Sequence, residues 1–322
     1  MESRPLISVI VPTYNRADLL RITLNSIFSQ SHEPHEVIVV DDGSTDHTSS
    51  MLNSETHSQL KVIYQPNNGQ VAARYNGIQQ CSGDWIALCD SDDVWSSDYI
   101  ATFTADLEMF KNINYWFSNF GLIDVNGVSV GTDKLSEAPE NWMQGIIGAS
   151  NTAEDSLKLD DKTFFLSLLQ FQPVFPSALI FKRSLYDDIG GFRTDLDLAH
   201  SEDAHLTRRI AAHGVGAMHS KPLVNIRKHL GNFSGEFQKN QEGRLEILEQ
   251  LLRDGDLPES FASATQHAIT RGNIELFKYL ILTDQLETAR AFGASQPHTI
   301  ETLILRTKLA AKSLLQRINL LG

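Results

Sequence analysis

The sequence predicts an α/β protein: an open, mostly parallel sheet flanked by helices, followed by an all-helical C-terminal appendage. Short β-branched runs alternate with helix-periodic segments through the first half, the pattern of a parallel sheet with crossover helices. Each of those runs ends in polar residues, and open α/β sheets bind ligands beyond the carboxyl ends of their strands. From about Gln238 onward only helical periodicity remains.

Leu6 to Val11 is β-branched, nearly uninterrupted and short enough for a central parallel strand. It runs through Pro12-Thr13-Tyr14-Asn15-Arg16 into a helical pattern carrying Leu19, Leu20, Ile22, Leu24, Ile27 and Phe28. Glu36 to Val40 is the second strand and ends in Asp41-Asp42-Gly43-Ser44-Thr45-Asp46. Lys61 to Tyr64 is the third, leading through Asn67-Asn68-Gly69 to a helix over Val71 to Ile78. Trp85 to Cys89 is the fourth.

That fourth strand stops at Asp90-Ser91-Asp92-Asp93, three carboxylates within four residues. Left unpaired, such a cluster repels itself and raises at least one pKa. A divalent cation relieves the repulsion, and carboxylate oxygens suit Mg²⁺ or Mn²⁺, which complete their shells with water and substrate phosphates. A solvated acidic loop capping a helix has the same composition.

As an ordered set, Val11 to Arg16, Val39 to Asp46, Asn68-Gly69 with Ala73-Arg74, and Asp90 to Asp93 resemble the nucleotide-sugar half of family 2 glycosyltransferases, inverting, metal-dependent enzymes with the GT-A fold. The resemblance covers residues 5–125 and, more patchily, continues to 235. It implies a glycosyltransferase domain over 1–235, with 1–125 the nucleotide-sugar half and 126–235 the acceptor half, and a helical region over 236–322. It implies that Pro12, Thr13 and Tyr14 border base and ribose. Asp42 would accept from the uracil imide N–H, as an acceptor-only carboxylate suits a donating edge; its other reading is a turn former or helix cap. Arg74 would meet the diphosphate or hold Asp90. Asp92 is the expected metal ligand, Asp90 with Ser91 contacts ribose or orients the shell, and Asp93 is a helix cap or second ligand.

Downstream, His200 to Arg209 reads as the start of an amphipathic helix capped by Ser201. Acids in a first turn complement the helix dipole. The resemblance gives Glu202 and Asp203 a further role: Asp203 as the base that deprotonates the acceptor hydroxyl, Glu202 orienting that acceptor. His200 and His205 read as ordinary helix-surface residues. Val224 to Ser234 is similar to a family segment whose histidine approaches the metal or diphosphate. This implies His229 as a metal ligand and Arg227 and Lys228 as phosphate contacts, although Ile226 stands where relatives carry an aromatic. Gly190-Gly191-Phe192 matches the turn before the acceptor-side helix. Trp95 and Trp116 suit either sugar stacking or the core.

The remaining signals bound the setting. A net charge of −13 over 322 residues disfavours a nucleic-acid partner. Two cysteines, Cys81 and Cys89, make no disulfide framework. No apolar run reaches the length of a spanning helix, and no signal-peptide core precedes the first strand, so a cytoplasmic protein is expected, peripheral at the inner face of the membrane if it meets one. Gly131 to Asp161 reads as a long loop over the active site. Phe164 to Phe181 is aromatic-rich, broken by Pro173 and Pro176 into a helix and a strand. Helices are expected over Arg244 to Leu252, Phe261 to Leu282, Leu286 to Phe292 and Ile300 to Leu321. The last mixes leucines with Arg306, Lys308, Lys312 and Arg317, which suits an anionic membrane surface, a cap on the appendage, or a partner chain.

The expected activity is transfer of a sugar from a UDP-sugar to a glycan, lipid-linked or other envelope acceptor, with Mn²⁺ or Mg²⁺. A catalytically inactive nucleotide-sugar-binding or scaffolding protein is the alternative. A nucleotidyltransferase would carry a Gly- and Arg-rich phosphate loop after the first strand, and a dehydrogenase a Gly-x-Gly-x-x-Gly there; Pro12 to Arg16 is neither.

Overall fold

β-Branched side chains fit a pleated surface packed on both faces, and the apolar runs of the first half do form strands. The computed structural model of the chain describes residues 4–147, 155–194, 202–228, 237–255 and 257–319. The strands β1 (Ile7–Thr13), β2 (Glu36–Asp41), β3 (Leu60–Tyr64) and β4 (Trp85–Leu88) pair in parallel in the order β3-β2-β1-β4. Their crossovers are α1 (Ala17–Phe28), α2 (Thr48–Ser54) and α3 (Gln70–Gln79). Strand order reverses between β1 and β4, the switch point at which open α/β sheets form their ligand crevice.

Five more described strands extend the sheet: β5 (Val94–Trp95), β6 (Tyr115–Ile123), β7 (Ser156–Lys158), β8 (Leu179–Lys182) and β9 (Gly216–Arg227). The full order is β3-β2-β1-β4-β8-β6-β9-β5, with β7 paired to β9. Among these, β8 is antiparallel to β4 and β6, while β9 runs parallel to β6. β9 is twelve residues long and passes two register shifts against β6. Its first half pairs with β7 and its far end with β5, just past the acidic cluster.

Alternation of side chains along each strand divides two apolar layers. Val9, Val11, Val37, Val39, Ala87, Cys89 and Ile180 face a core shared with Leu20, Leu24 and Ile27 of α1, with Met51 and Leu52 of α2, and with Tyr99, Ile100 and Phe103 of α4 (Tyr99–Met109). Trp116 stands edge-on to Tyr99 and Phe103 at 5.3 and 5.7 Å between ring centres, and Trp95 lies 4.4 Å from Tyr99. Both indoles are buried core, and their N–H groups are bonded inside it, Trp95 to the Ser177 carbonyl (2.8 Å) and Trp116 to Asp106 Oδ2 (2.7 Å); neither is placed to stack on a sugar. On the opposite face Phe164 of α6 (Asp161–Leu168) stacks on Tyr115 and Phe117, and Tyr186 of α7 (Arg183–Asp188) on Phe181.

The segment expected to be one long loop contains a 3₁₀ turn (Lys134–Glu137), α5 (Trp142–Ile146) and β7; residues 148–154 lie outside those described. Trp142 is buried edge-on against Phe171, 5.2 Å between ring centres, and the Lys134 ammonium sits 5.0 Å over the same ring. Single aromatic anchors of this kind order short elements without leaving any periodicity to read.

The chain divides into two compact units. The larger holds the sheet together with α8 (Glu202–His213). The smaller holds, among the described residues, four helices, α9 (Phe237–Asp254), α10 (Glu259–Leu282), α11 (Leu286–Ser295) and α12 (Ile300–Asn319), around Leu248, Leu251, Phe277, Leu280, Leu305 and Leu309. Among the described residues no helix is long and apolar enough to cross a membrane.

α3 lies so close to the sheet that a Cβ on Gly77 would stand 2.7 Å from Ile10 Cγ2 and 3.1 Å from Val40 Cγ2. Forcing a methyl into a packed core costs about 1–3 kcal/mol. Gly77→Ala is therefore expected to lower the unfolding free energy by that amount in a urea titration, despite alanine's better helix propensity.

Candidate functional site

The polar residues that follow β1, β2 and β4 converge at one edge of the sheet because those strands are parallel neighbours. At the end of β1, Pro12 and Thr13 are buried, and Tyr14 just beyond it is exposed. Thr13 Oγ1 is buried without a hydrogen-bond partner among the described residues. Asn15 takes a left-handed conformation, φ 52°, which asparagine tolerates better than most residues. From there its Oδ1 accepts the Thr45 N–H at 2.7 Å and the Asp46 N–H at 3.3 Å, tying the first polar loop to the second.

After β2, Asp42 is nearly fully covered. Its Oδ1 accepts from Gln65 Nε2 (2.8 Å) and the Asn68 N–H (2.9 Å), and its Oδ2 from the Gly69 N–H (2.8 Å). The carboxylate thus fixes the turn ahead of α3. With about four lone-pair positions on a carboxylate, Oδ2 retains acceptor capacity.

After β4 the three carboxylates take three different environments. Asp90 Oδ1 accepts from Arg74 Nη2 at 2.5 Å and Gln70 Nε2 at 3.0 Å, both on α3. Asp92 is paired with Arg16 from the loop after β1, and Ser91 is buried between them. Asp93 is neither a helix cap nor turned to solvent. It is buried, with Oδ2 accepting from Ser177 Oγ (2.5 Å), Oδ1 from the Arg227 N–H (2.9 Å), and its carbonyl from Thr23 Oγ1 (2.8 Å). Burial, reinforced by Asp90 and Asp92, pushes its pKa well above the usual carboxylate value.

Arg74 was expected at a diphosphate or on Asp90; it is on Asp90. The guanidinium is buried and also lies 3.7 Å from Glu202 Oε1 at the start of α8. Burial opposes its charge, but Asp90, Glu202 and Asp203 together raise its pKa. It therefore joins α3, the acidic cluster and α8 through one fixed cation. Asp203, beside it, has its pKa pushed up to about 6, by burial first and then by Glu202, against the opposing pull of Arg74. A carboxylate with a pKa near neutrality suits proton abstraction.

α8 is anchored by groups that sequence periodicity leaves unexplained. Arg208 donates to the Leu168 carbonyl at 3.0 Å and Arg209 to the Gly191 carbonyl at 2.7 Å. The acceptor Gly191 belongs to the Gly190-Gly191 turn, where both residues have φ above 60° (73° and 62°), a conformation glycine enters without steric cost. His205 is buried, not on the helix surface; His200 lies outside the described residues. So does His229, as do Asn232 and Ser234. Arg227 is within them, but it donates from Nε to the Asp92 carbonyl (3.0 Å) and from Nη1 to the Asp124 carbonyl (2.9 Å), bracing the acidic loop from β9 rather than facing a phosphate.

Residues 8–165 match the family model described as Glycosyl transferase family 2. That stretch is a family 2 glycosyltransferase domain. The Bacillus subtilis protein TuaG, designated a teichuronic acid biosynthesis glycosyltransferase, is 33% identical over 158 residues, 48% of this chain and 58% of TuaG. The succinoglycan biosynthesis protein ExoW of Rhizobium meliloti is 32% identical over 149 residues, 41% of this chain and 46% of ExoW. The chain thus spans about half the length of these curated relatives. Among solved structures, S. aureus TarS 1–349 with UDP-GlcNAc superimposes with a TM-score of 0.65 at 18% identity, covering 95% of this chain and 88% of that one. The mannosyltransferase PcManGT of Pyrobaculum calidifontis, solved with GDP-Man and Mn²⁺, gives 0.57 at 21% identity, covering 97% and 81%. At those identities the likeness concerns the fold, which is of the GT-A type.

Ser177, absent from the residues singled out by sequence, is the joint of the acidic loop. Its Oγ accepts the Asp90 N–H at 2.9 Å and donates to Asp93. Ser177→Ala leaves a buried amide and a buried carboxylate short of a partner, a loss of about 1–3 kcal/mol expected in chemical denaturation. Arg74→Met removes a buried guanidinium from between the half-buried carboxylates of Asp90 and Glu202 and is expected to cost about 3 kcal/mol in the same measurement.

Proposed function

We propose that this chain is an inverting glycosyltransferase that moves a sugar from a nucleotide-diphosphate donor, a UDP-sugar, to a hydroxyl of a glycan or lipid-linked envelope acceptor. The observation that carries the reading is the placement of Asp203, with its raised pKa, beside Arg74, which in turn holds the Asp90 of the acidic cluster. Asp203 and the acidic cluster thus meet at one cation, which supports a base and a donor site lying side by side.

The unpartnered Thr13 hydroxyl and the spare acceptor capacity of Asp42 Oδ2 are groups a ribose and a donating base edge would satisfy. This supports uridine at the switch point, with Pro12 and Tyr14 as flanking surface. Asp90 and Asp92 offer hard oxygen donors, and Asp92 already holds one cationic group, the Arg16 guanidinium; that chemistry fits Mg²⁺ or Mn²⁺. Bound with the donor, such a cation supplies charge neutralisation for the departing diphosphate.

In the transfer itself, Asp203 takes the proton of the acceptor hydroxyl. The oxygen forms its bond to the anomeric carbon from one face while the bond to the diphosphate oxygen breaks on the other. Glu202 orients the acceptor. A single base on one face inverts the anomeric configuration and needs no covalent intermediate.

Asp203→Asn is expected to lower turnover by about 10²–10⁴-fold while nucleotide binding, followed calorimetrically, stays within experimental error of wild type; near wild-type turnover would remove Asp203 from the base role. Because the base works deprotonated, kcat/KM should rise with pH through about 6 and then level off. A flat profile between pH 5 and 7 would contradict the assignment. Asp92→Ala should abolish the difference in UDP-sugar binding between Mn²⁺ and chelator, with residual metal-independent binding remaining.

A further inference from the structure

α12 has two apolar faces, and the four-helix unit uses only one of them. Leu305 and Leu309 point into the bundle and are buried. On the opposite side Ile300, Leu303, Ile304 and Leu314 are 80%, 60%, 49% and 60% exposed. Their spacing places them, with Thr307 and Ala311 between, along one helical stripe. The stripe opens at Ala310 and Leu314 into a groove of about 510 Å³ between α11 and α12, floored by Gly293, Ala294 and Leu309 and edged by Arg290 and Arg306.

Charge decides what fits this surface. The chain as a whole carries −13, yet α12 has four basic residues against one acidic one. Arg306 is committed to the carbonyls of Gly293 and Gln296 at the end of α11, and Lys312 to the Ile281 carbonyl and Asp284. Lys308 on α12 and Arg290 across the groove are exposed. An apolar stripe bordered by exposed cations is the pattern of a helix lying in an anionic interface. A second copy of the chain fits less well: Lys308 lies near the middle of α12, so a two-fold pairing along the stripe sets Lys308 close to its own counterpart.

We infer that the outward stripe of α12, with the adjoining α11–α12 groove, is a docking surface for an anionic lipid bilayer. Acyl chains cover Leu303, Ile304 and Leu314, and acidic headgroups meet Lys308 and Arg290. The inference stands apart from glycosyl transfer, since lipid binding is read with no nucleotide present.

The test is co-sedimentation of the full chain with vesicles of phosphatidylcholine alone and of phosphatidylcholine mixed with phosphatidylglycerol, alongside sedimentation velocity without lipid. The chain should partition onto the phosphatidylglycerol vesicles at least about tenfold better than onto the neutral ones. Leu303→Glu combined with Leu314→Glu should abolish the binding with an unchanged thermal melt, because both positions are exposed. Lys308→Glu should weaken it severalfold on anionic vesicles only. Binding to neither vesicle, or equal binding to both, would overturn the inference. So would a lipid-free dimer that the leucine substitutions dissociate, which would assign the stripe to a second copy.

Discussion

Three carboxylates confined to the end of β4 are the constraint around which the larger unit is arranged. Like charges this close cannot all stay ionised without counter-groups, and each neighbouring element supplies one. The loop after β1 brings Arg16 to Asp92, α3 brings Arg74 to Asp90, and the far end of β9 brings the Arg227 amide to Asp93 and its guanidinium to the loop backbone. The turn before β8 adds the Ser177 hydroxyl. The strand order makes this possible: β4 lies between β1 and β8, and β9 reaches the same edge through its pairing with β5. The sheet topology and the electrostatics of the site are one solution to one problem.

Arg74 carries this arrangement from the acidic loop to the first turn of α8. A buried guanidinium is tolerable only when carboxylates surround it, and Arg74 has Asp90 on one side and Glu202 with Asp203 on the other. The first turn of α8 is therefore positioned by the same cation that organises the β4 loop. Its charge also limits how far burial and Glu202 can raise the Asp203 pKa. The properties of the proposed base are set partly from α3, more than a hundred residues earlier in the chain.

The parts of this arrangement legible in the sequence are those with local signatures. Strands β1 to β4 show as β-branched runs, their polar ends as short motifs, and the C-terminal helices as apolar periodicity with stops at Gly255 and Asp284, both at positive φ. The illegible parts join residues far apart in the chain. Ser177 lies 84 residues from Asp93, and Arg227 is 134 from it; no local pattern marks either as a partner. Asp93 reads as a cap because Asp-rich segments before helices often are caps, but here a two-residue strand intervenes before α4. Arg227 reads as a phosphate ligand because basic residues near an acidic site suit one, and its engagement with the backbone depends on the length and bulging of β9. His205 reads as a surface residue because α8 looks amphipathic, whereas most of that helix is buried.

The charge arrangement also gives the proposed donor a reason to arrive with a cation. Asp90, Asp92, Asp93, Glu202 and Asp203 gather around Arg16, Arg74 and Arg227, whose guanidinium is spent on backbone carbonyls, leaving carboxylates in excess among these residues. The pKa values of Asp93 and Asp203 are both raised, which is how a protein relieves such an excess without a cation: by holding protons. A nucleotide diphosphate would bring further negative charge to that edge, and no residue among those eight is left to neutralise it alone. Under the proposed function, entry of the donor together with a divalent cation would resolve the conflict. It would also favour the ionised form of the nearby carboxylates, so the step that loads the donor would prepare Asp203 to accept a proton.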